Sequence, residues 1–434
     1  MTGGINLIMN KKFRLKEHLL FSYFSQIVNI SLGFLQVFLI SRYFGVEVYG
    51  QLMIIIASAG VFSVLLTARS SEAITRFFTR EILNNNLENA KFIIIIGFII
   101  DFITAILLVV FIYGVSNLIA IHLIKNQMLE FEVFIYSLVI FFTFLSGTML
   151  GYLQSNNMFI QINIISIIEM TLKNVILLFA IFILKEESLK SIIIVLICAS
   201  LFSYFYTIFI FSKNYIKQFK NIKYKVNFFI LKEYWNFNLK TFISSSLKAG
   251  NNNMDTLLIA YFINANIVGI YQIIKKILSP STFLVKPFSM LLYPKLIKYF
   301  ESKDIKNLKI LILKISMMLF LIIVVYIFCI YLGIEIIFNI MKIEFVAYYN
   351  YLFILLSFVT VLVSMQWWSR IFSNTVNPNY SLYSNLFATL FQLTITILST
   401  YLFNLEGLLF SLITMNLFLF IYWVKKLRDL KEII

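Results

Sequence analysis

The sequence predicts an all-α polytopic membrane protein with about twelve transmembrane helices in two six-helix bundles. Hydrophobic residues make up 61% of the 434 residues and mean hydropathy is +0.91, a composition that excludes an ordinary soluble globular chain. The apolar residues fall into runs of about 20, the length a helix needs to cross a hydrocarbon core of roughly 30 Å. Lys and Arg crowd into every second gap between these runs, as positive-inside topology requires.

In chain order the runs cover approximately 17–41, 48–68, 91–114, 132–153, 160–184, 190–212, 238–263, 268–293, 310–333, 348–371, 380–402 and 407–424. The first follows Lys11, Lys12, Arg14 and Lys16. It continues from Leu19 to Ile40 without a small-residue cleavage site, too long for a secretory signal, and reads as a retained span. The second leads into a basic, aromatic segment from Arg69 to Arg80, the third holds Asp101, and the fifth holds Glu169 and Lys173. The seventh and eighth carry the richest polar stripes, and Pro280, Pro287 and Pro294 in the eighth predict a kinked helix. The expected organisation is a cytoplasmic tail over 1–16, a six-helix bundle over 17–212, a basic linker over 213–237, a second bundle over 238–424, and a basic tail over 425–434.

Most of the 36 basic residues then lie on the side of the termini, and only Arg42, Lys125, Lys185, Lys190 and Lys342 lie in the opposite gaps. This orients both termini to the cytoplasm of a bacterial inner membrane. Topology and attraction to anionic lipid explain the net charge of +16, so no nucleic-acid partner is implied. Trp235, Trp367, Trp368 and Trp423 fall near the cytoplasmic boundary, where interfacial anchors are expected. Cys198 and Cys329 fall inside spans and the only histidines are His18 and His122, which leaves no disulfide framework and no metal site. No phosphate-cradling loop or nucleophile triad can be assembled, so the chain reads as a transporter rather than an enzyme.

The two halves look duplicated. Spans one and two are joined by Tyr43-Phe44-Gly45-Val46-Glu47-Val48-Tyr49-Gly50, and spans seven and eight by Tyr261-Phe262-Ile263-Asn264-Ala265-Asn266-Ile267-Val268-Gly269. Each has Tyr-Phe, a polar tip, and an apolar or aromatic residue before a glycine that opens the next span. Parallel repeats related by an axis along the membrane normal place a transport pathway between them. The stretches RYFGVEVYGQL, NNNMDTLLIAYFINANIVGIYQI and LLYPKL resemble the polysaccharide-exporter branch of the multidrug/oligosaccharidyl-lipid/polysaccharide (MOP) superfamily, and within it the Wzx-type O-antigen flippases. That resemblance implies a V-shaped pair of bundles carrying an undecaprenyl-diphosphate-linked oligosaccharide between leaflets. It also implies membrane lipids, and the polymerase and chain-length proteins of the same pathway, as partners.

Ionisable groups inside spans are costly and commonly functional. Ser244, Lys248, Asn251 or Asn252, and Asp255 recur at three- and four-residue steps and share one helical face. Gln272, Lys275, Ser279, Thr282 and Lys286 repeat the device in the next span without an acid. Lysine ammonium groups there suit a diphosphate, with snorkelling as the plainer explanation for Lys286. Glu169 and Lys173, four apart, suit an intrahelical pair. Arg69, Arg76 and Arg80 share a face of an amphipathic helix at the membrane surface and are candidates for collecting the diphosphate at the cytoplasmic mouth, although positive-inside topology alone also explains them. Asp255, Glu169 and Asp101 are candidates for proton or sodium coupling, and no other cofactor is implied. Two other readings stay open: a cation-coupled small-molecule exporter, against which the lysine excess argues, and a polymerase or ligase of the same pathway, against which the short exterior gaps argue.

Overall fold

A computed structural model describes residues 15–66, 70–185, 188–220, 222–344, 346–369 and 378–429. The described residues are almost entirely helical and contain no strand. The helices are α1 (Leu15–Tyr43), α2 (Val46–Leu66), α3 (Ser70–Leu83), α4 (Leu87–Ile119), α5 (Glu130–Leu145), α6 (Gly147–Ser155), α7 (Phe159–Phe179), α8 (Leu189–Phe219), α9 (Phe228–Phe262), α10 (Ala265–Glu301), α11 (Ile305–Ile340), α12 (Ala347–Met365), α13 (Pro378–Phe391) and α14 (Ile397–Arg428). Nine described segments are long and apolar enough to cross a membrane by length and composition. The last of them, Tyr383–Arg428, is interrupted at Phe403 and Asn404, where the backbone leaves helical geometry, so it holds two spans. Helices α9 and α10, of 35 and 37 residues, are long enough but more polar. Together these segments supply the expected set of about twelve.

The chain forms two compact units, Met1–Phe44 with Ile55–Ala249, and Gly45–Ile54 with Gly250–Ile434. In the first, α1 packs on α7, α4 on α5, α3 on α6, and α8 on both α5 and α7. Its core joins Ile74, Phe77 and Phe78 of α3 to Ile93 of α4, Tyr152 of α6, Phe211 and Phe219 of α8, and Tyr234 of α9. Edge-to-face ring pairs such as Phe78 with Tyr152, at 5.4 Å, add to the area buried. The Tyr152 hydroxyl donates to Gln218 Oε1 at 2.7 Å. Helix α3 is amphipathic, as expected over 69–80, and its apolar face, with Ala73, Ile74, Phe77 and Phe78, is buried in this core.

In the second unit α10 packs on α11 and α12, and α12 packs on α14. Its core includes Leu308, Leu319, Ile323, Trp367, Trp368 and Trp423, and the Trp367 indole donates to Ser316 Oγ at 3.0 Å. Three of the four tryptophans expected as interfacial anchors are thus core residues; Trp235 alone is exposed. Indoles bury large apolar area, and a buried one needs a partner for its N–H, which Ser316 supplies for Trp367.

Two glycines permit a close backbone approach in this unit. A Cβ on Gly50 would lie 1.8 Å from the Ala265 carbonyl oxygen, and one on Gly269 would lie 2.3 Å from the Val46 carbonyl oxygen. The two contacts are reciprocal: Val46 and Gly50 start α2 at the same spacing as Ala265 and Gly269 start α10. The duplicated sequence turns noted above thus meet as a pseudo-symmetric pair, with small residues letting backbones touch as in other membrane helix crossings.

Helix α10 stays helical through Pro280, Pro287 and Pro294. Pro280 cannot donate to the Lys276 carbonyl four residues earlier, and the Ser279 hydroxyl donates to that oxygen instead at 2.7 Å. The Tyr326 hydroxyl of α11 donates to the neighbouring Ile277 carbonyl at 2.7 Å. Hydroxyls commonly satisfy backbone groups freed by proline in membrane helices.

Candidate functional site

The densest polar constellation in the second unit joins α9 to α10. Asp255 and Thr256 face Tyr271, Gln272 and Lys275, residues on one face of α10 because positions 271 and 275 are a helical turn apart. Asp255 is buried. Its Oδ2 accepts from the Tyr271 hydroxyl at 2.5 Å and from Lys275 Nζ at 2.7 Å, while Oδ1 accepts from the Thr256 backbone N–H at 2.8 Å. Gln272 Nε2 donates to the Thr256 hydroxyl at 2.6 Å. The Lys275 ammonium also lies 5.1 Å from the centre of the Tyr271 ring, within cation–π range.

This arrangement corrects the expectation that the α10 lysines are unpaired: Lys275 has an acid, contributed by α9. Its side chain nevertheless remains 37% exposed against 9% for Asp255. An ammonium carries three donors, so one satisfies Asp255 and others remain to meet an anion. The buried carboxylate fixes the position of the cation, and the cation neutralises the carboxylate. Protonating Asp255, or drawing Lys275 toward a phosphate, would break the pair.

The Lys248, Asn251, Asn252 and Lys286 side chains lie outside the described residues, although α9 and α10 run through these positions. Arg69 lies outside the described residues altogether.

In the first unit Lys173 Nζ donates to Glu169 Oε1 at 2.7 Å, the intrahelical pair expected from their spacing, and Ser203 of α8 donates to Glu169 Oε2 at 3.4 Å. This pair and the Asp255–Lys275 pair belong to different units. Around Glu169 runs a polar seam between α1 and α7 that was missed in the sequence. Asn163 donates to Ser22 Oγ at 2.8 Å, Asn29 to Ser166 Oγ at 2.9 Å, and Asn174 to the Leu32 carbonyl at 3.1 Å. The signal was available: residues 163, 166, 169 and 173 follow the three- and four-residue steps of one face, and Asn174 adjoins them.

Arg80 is not a free guanidinium. It pairs with Glu233 of α9 at 2.9 Å and with Glu81 at 3.1 Å, and it lies 5.0 Å from the Phe77 ring centre. Arg76 lies 4.8 Å from the Phe237 ring centre. Asp101 accepts from the Thr148 backbone N–H at 2.7 Å. It thereby caps α6, the second half of a span broken between Leu145 and Gly147.

Solved structures share this architecture. A multidrug resistance MATE family transporter of the MOP superfamily, in an inward-facing conformation, superposes with a TM-score of 0.73 at 14% identity, over 93% of this chain and 96% of that one. The lipid II flippase MurJ, in an inward closed conformation, gives 0.66 at 15% identity over 96% and 90%. A MATE protein in complex with MaL6 gives 0.63 at 13% identity over the full length of both. No curated protein matches the sequence. The fold is therefore that of the MOP-superfamily transporters, in a multi-pass membrane protein as the sequence led us to expect. The family model described as polysaccharide biosynthesis protein matches residues 15–300, and the chain belongs to that family.

Proposed function

We propose that the protein is a flippase for undecaprenyl-diphosphate-linked oligosaccharide units, moving them across a bacterial inner membrane by alternating access, with both termini in the cytoplasm. The observation that carries this reading is the match to the polysaccharide biosynthesis family in a chain with the fold of lipid and drug transporters. Lys275 supports it chemically. It is a cation within a membrane helix, anchored by Asp255 yet partly exposed, and suited to meet a diphosphate as a point charge. Asn251 and Asn252 are the proposed hydrogen-bond partners of the sugar head group, and the prenyl chain would stay in lipid.

The polymerase and chain-length proteins of the same pathway are the proposed downstream partners. Work on translocation would come from consumption of the product outside or from an ion gradient, with Asp255, Glu169 and Asp101 as the candidate coupling carboxylates. A second reading, a cation-coupled small-molecule exporter, draws on the likeness to the MATE structures. Gene deletion with complementation separates them. Loss of surface polysaccharide, with the lipid-linked unit retained in the cytoplasmic leaflet, is the expected result. Intact polysaccharide with altered tolerance to toxic cations would favour the exporter.

A further inference from the structure

The segment that joins α8 to α9 mixes exposed aromatic rings with exposed lysines. Between Lys213 and Phe237 the sequence has six lysines against one acid, Glu233, and that acid is taken by Arg80 of α3 at 2.9 Å. All six lysines are exposed, and among the described residues none of them makes an ion pair. Beside them Tyr224, Phe228, Phe229 and Trp235 are 53%, 77%, 70% and 54% exposed. The stretch from Lys295 to Lys309 has five lysines and, among the described residues, no exposed large hydrophobic side chain. Topology explains a basic stretch of that second kind, but it does not call for bulky rings among the charges.

The aromatic stretch is held from one side by unit 1. Asn227 Oδ1 accepts from the backbone N–H groups of Phe229 and Ile230 at 3.1 and 3.3 Å and so starts α9. Ile230 and Tyr234, a helical turn apart, are buried in the core of the unit. Lys91 of α4 donates to the Ile222 carbonyl at 2.7 Å, and the Tyr224 ring stacks on Phe92 with centroids 6.5 Å apart. With positions 230 and 234 turned inward, positions 228, 232 and 235 share the opposite, outward face. At 1.5 Å per residue the 35 residues of α9 run about 50 Å, longer than a hydrocarbon core of roughly 30 Å. Its lysine-bearing first turns therefore reach the headgroup layer.

We propose that Phe228, Lys232 and Trp235, with Lys223, Tyr224 and Lys225 of the linker, dock the headgroups of anionic phospholipids from the surrounding leaflet. Aromatic rings favour the boundary between headgroup and acyl chain, and ammonium groups meet lipid phosphates as point charges. The uncompensated positive charge selects an anionic lipid over a zwitterionic one. Because Arg80, Lys91 and Phe92 hold the segment on α3 and α4, bound lipid fastens unit 1 to one leaflet. The docking holds whatever the cargo is.

Trp235 reports on the patch directly, since Trp367, Trp368 and Trp423 are 6%, 3% and 5% exposed. The test uses the purified full chain in phosphatidylcholine nanodiscs doped with brominated phosphatidylglycerol or with the same fraction of brominated phosphatidylcholine. Quenching of tryptophan fluorescence is compared, with Trp235→Phe giving the share of the buried indoles. The anionic lipid is expected to be about fivefold enriched at Trp235, the factor that one lysine near an anionic surface supplies. High salt is expected to remove that preference. Lys223→Gln, Lys225→Gln and Lys232→Gln together are expected to bring the two lipids level with melting in pure phosphatidylcholine unchanged, and Lys298→Gln with Lys306→Gln to leave the preference intact. Equal quenching by the two lipids in wild type, a preference that survives high salt or the triple substitution, or displacement of the brominated anionic lipid by a trace of undecaprenyl phosphate would each overturn the assignment, the last by making the patch a cargo site.

Discussion

At Asp255 a carboxylate is held inside a membrane protein by four donors, one of them a lysine that is itself partly exposed. Removing one member of such a pair leaves a buried charge without compensation, which costs about 3–5 kcal/mol, whereas removing both charges costs far less. Lys275→Ala is thus expected to lower the melting temperature of the purified protein strongly, and Asp255→Asn combined with Lys275→Ala to recover much of the loss. Thermal melting of the three variants checks this, and a double variant as unstable as Lys275→Ala would show that the pair is not the source of the effect. The Glu169–Lys173 pair is expected to matter less, because each of its side chains keeps some exposure, 30% and 17%. Glu169→Gln is expected to move the melting temperature by less than half as much as Lys275→Ala in the same measurement. The sequence showed the Asp255 and Lys275 stripes separately, since each follows helical spacing on its own element. It did not show their pairing, because the partners are twenty residues apart and meet only when α9 and α10 fold back on each other.

At the scale of elements, the starts of α2 and α10 touch through Gly50 and Gly269, whereas Gly114 in α4 and Gly333 in α11 have nothing within 4 Å of an added Cβ. Overpacking a close contact costs about 1–3 kcal/mol, while alanine in an open helical position gains about 0.5–1 kcal/mol over glycine. Gly50→Ala and Gly269→Ala are accordingly expected to lower the melting temperature, and Gly114→Ala and Gly333→Ala to keep or raise it. Similar behaviour of all four would remove the contact from consideration. The duplicated turn was legible as sequence, but its reciprocal geometry was not, because a glycine in a span looks the same whether it faces lipid or a backbone. Span positions were legible because a length of about 20 apolar residues is dictated by the bilayer. The break between α5 and α6 was not, since Ser146 and Gly147 are unremarkable without the Asp101 carboxylate that stabilises it across 47 positions of sequence. Lys125 and Lys185, basic residues in gaps where few were expected, are left-handed C-caps of helical segments, and Lys342 is left-handed one residue beyond the Met341 C-cap of α11. A cation there opposes the negative end of the helix dipole, an element-level reason that overrides the topological one.

At the scale of the whole molecule, the chain belongs to the polysaccharide biosynthesis family and shares the fold of the MOP-superfamily transporters, and the polar constellations within each unit supply candidate contacts for the proposed cargo. The arginines of α3 fit less simply than the sequence suggested. Arg80 is engaged by Glu81 and Glu233, and Arg76 stands against Phe237, so their first role is to hold α3 against α9. Arg80→Ala is expected to reduce export through lost protein as much as through lost turnover, which membrane protein levels measured beside surface polysaccharide will separate. Lys275 differs, because a charge-retaining change can keep the pair with Asp255 while altering how an anion is met. The most direct measurement is therefore leaflet-resolved assay of the lipid-linked repeat unit in a deletion strain carrying wild type, Lys275→Arg or Lys275→Ala at matched membrane levels. Flippase function through this lysine predicts export by wild type, reduced export by Lys275→Arg, and a cytoplasmic-leaflet block with Lys275→Ala. Equal export by all three, or normal leaflet distribution without the protein, would contradict it.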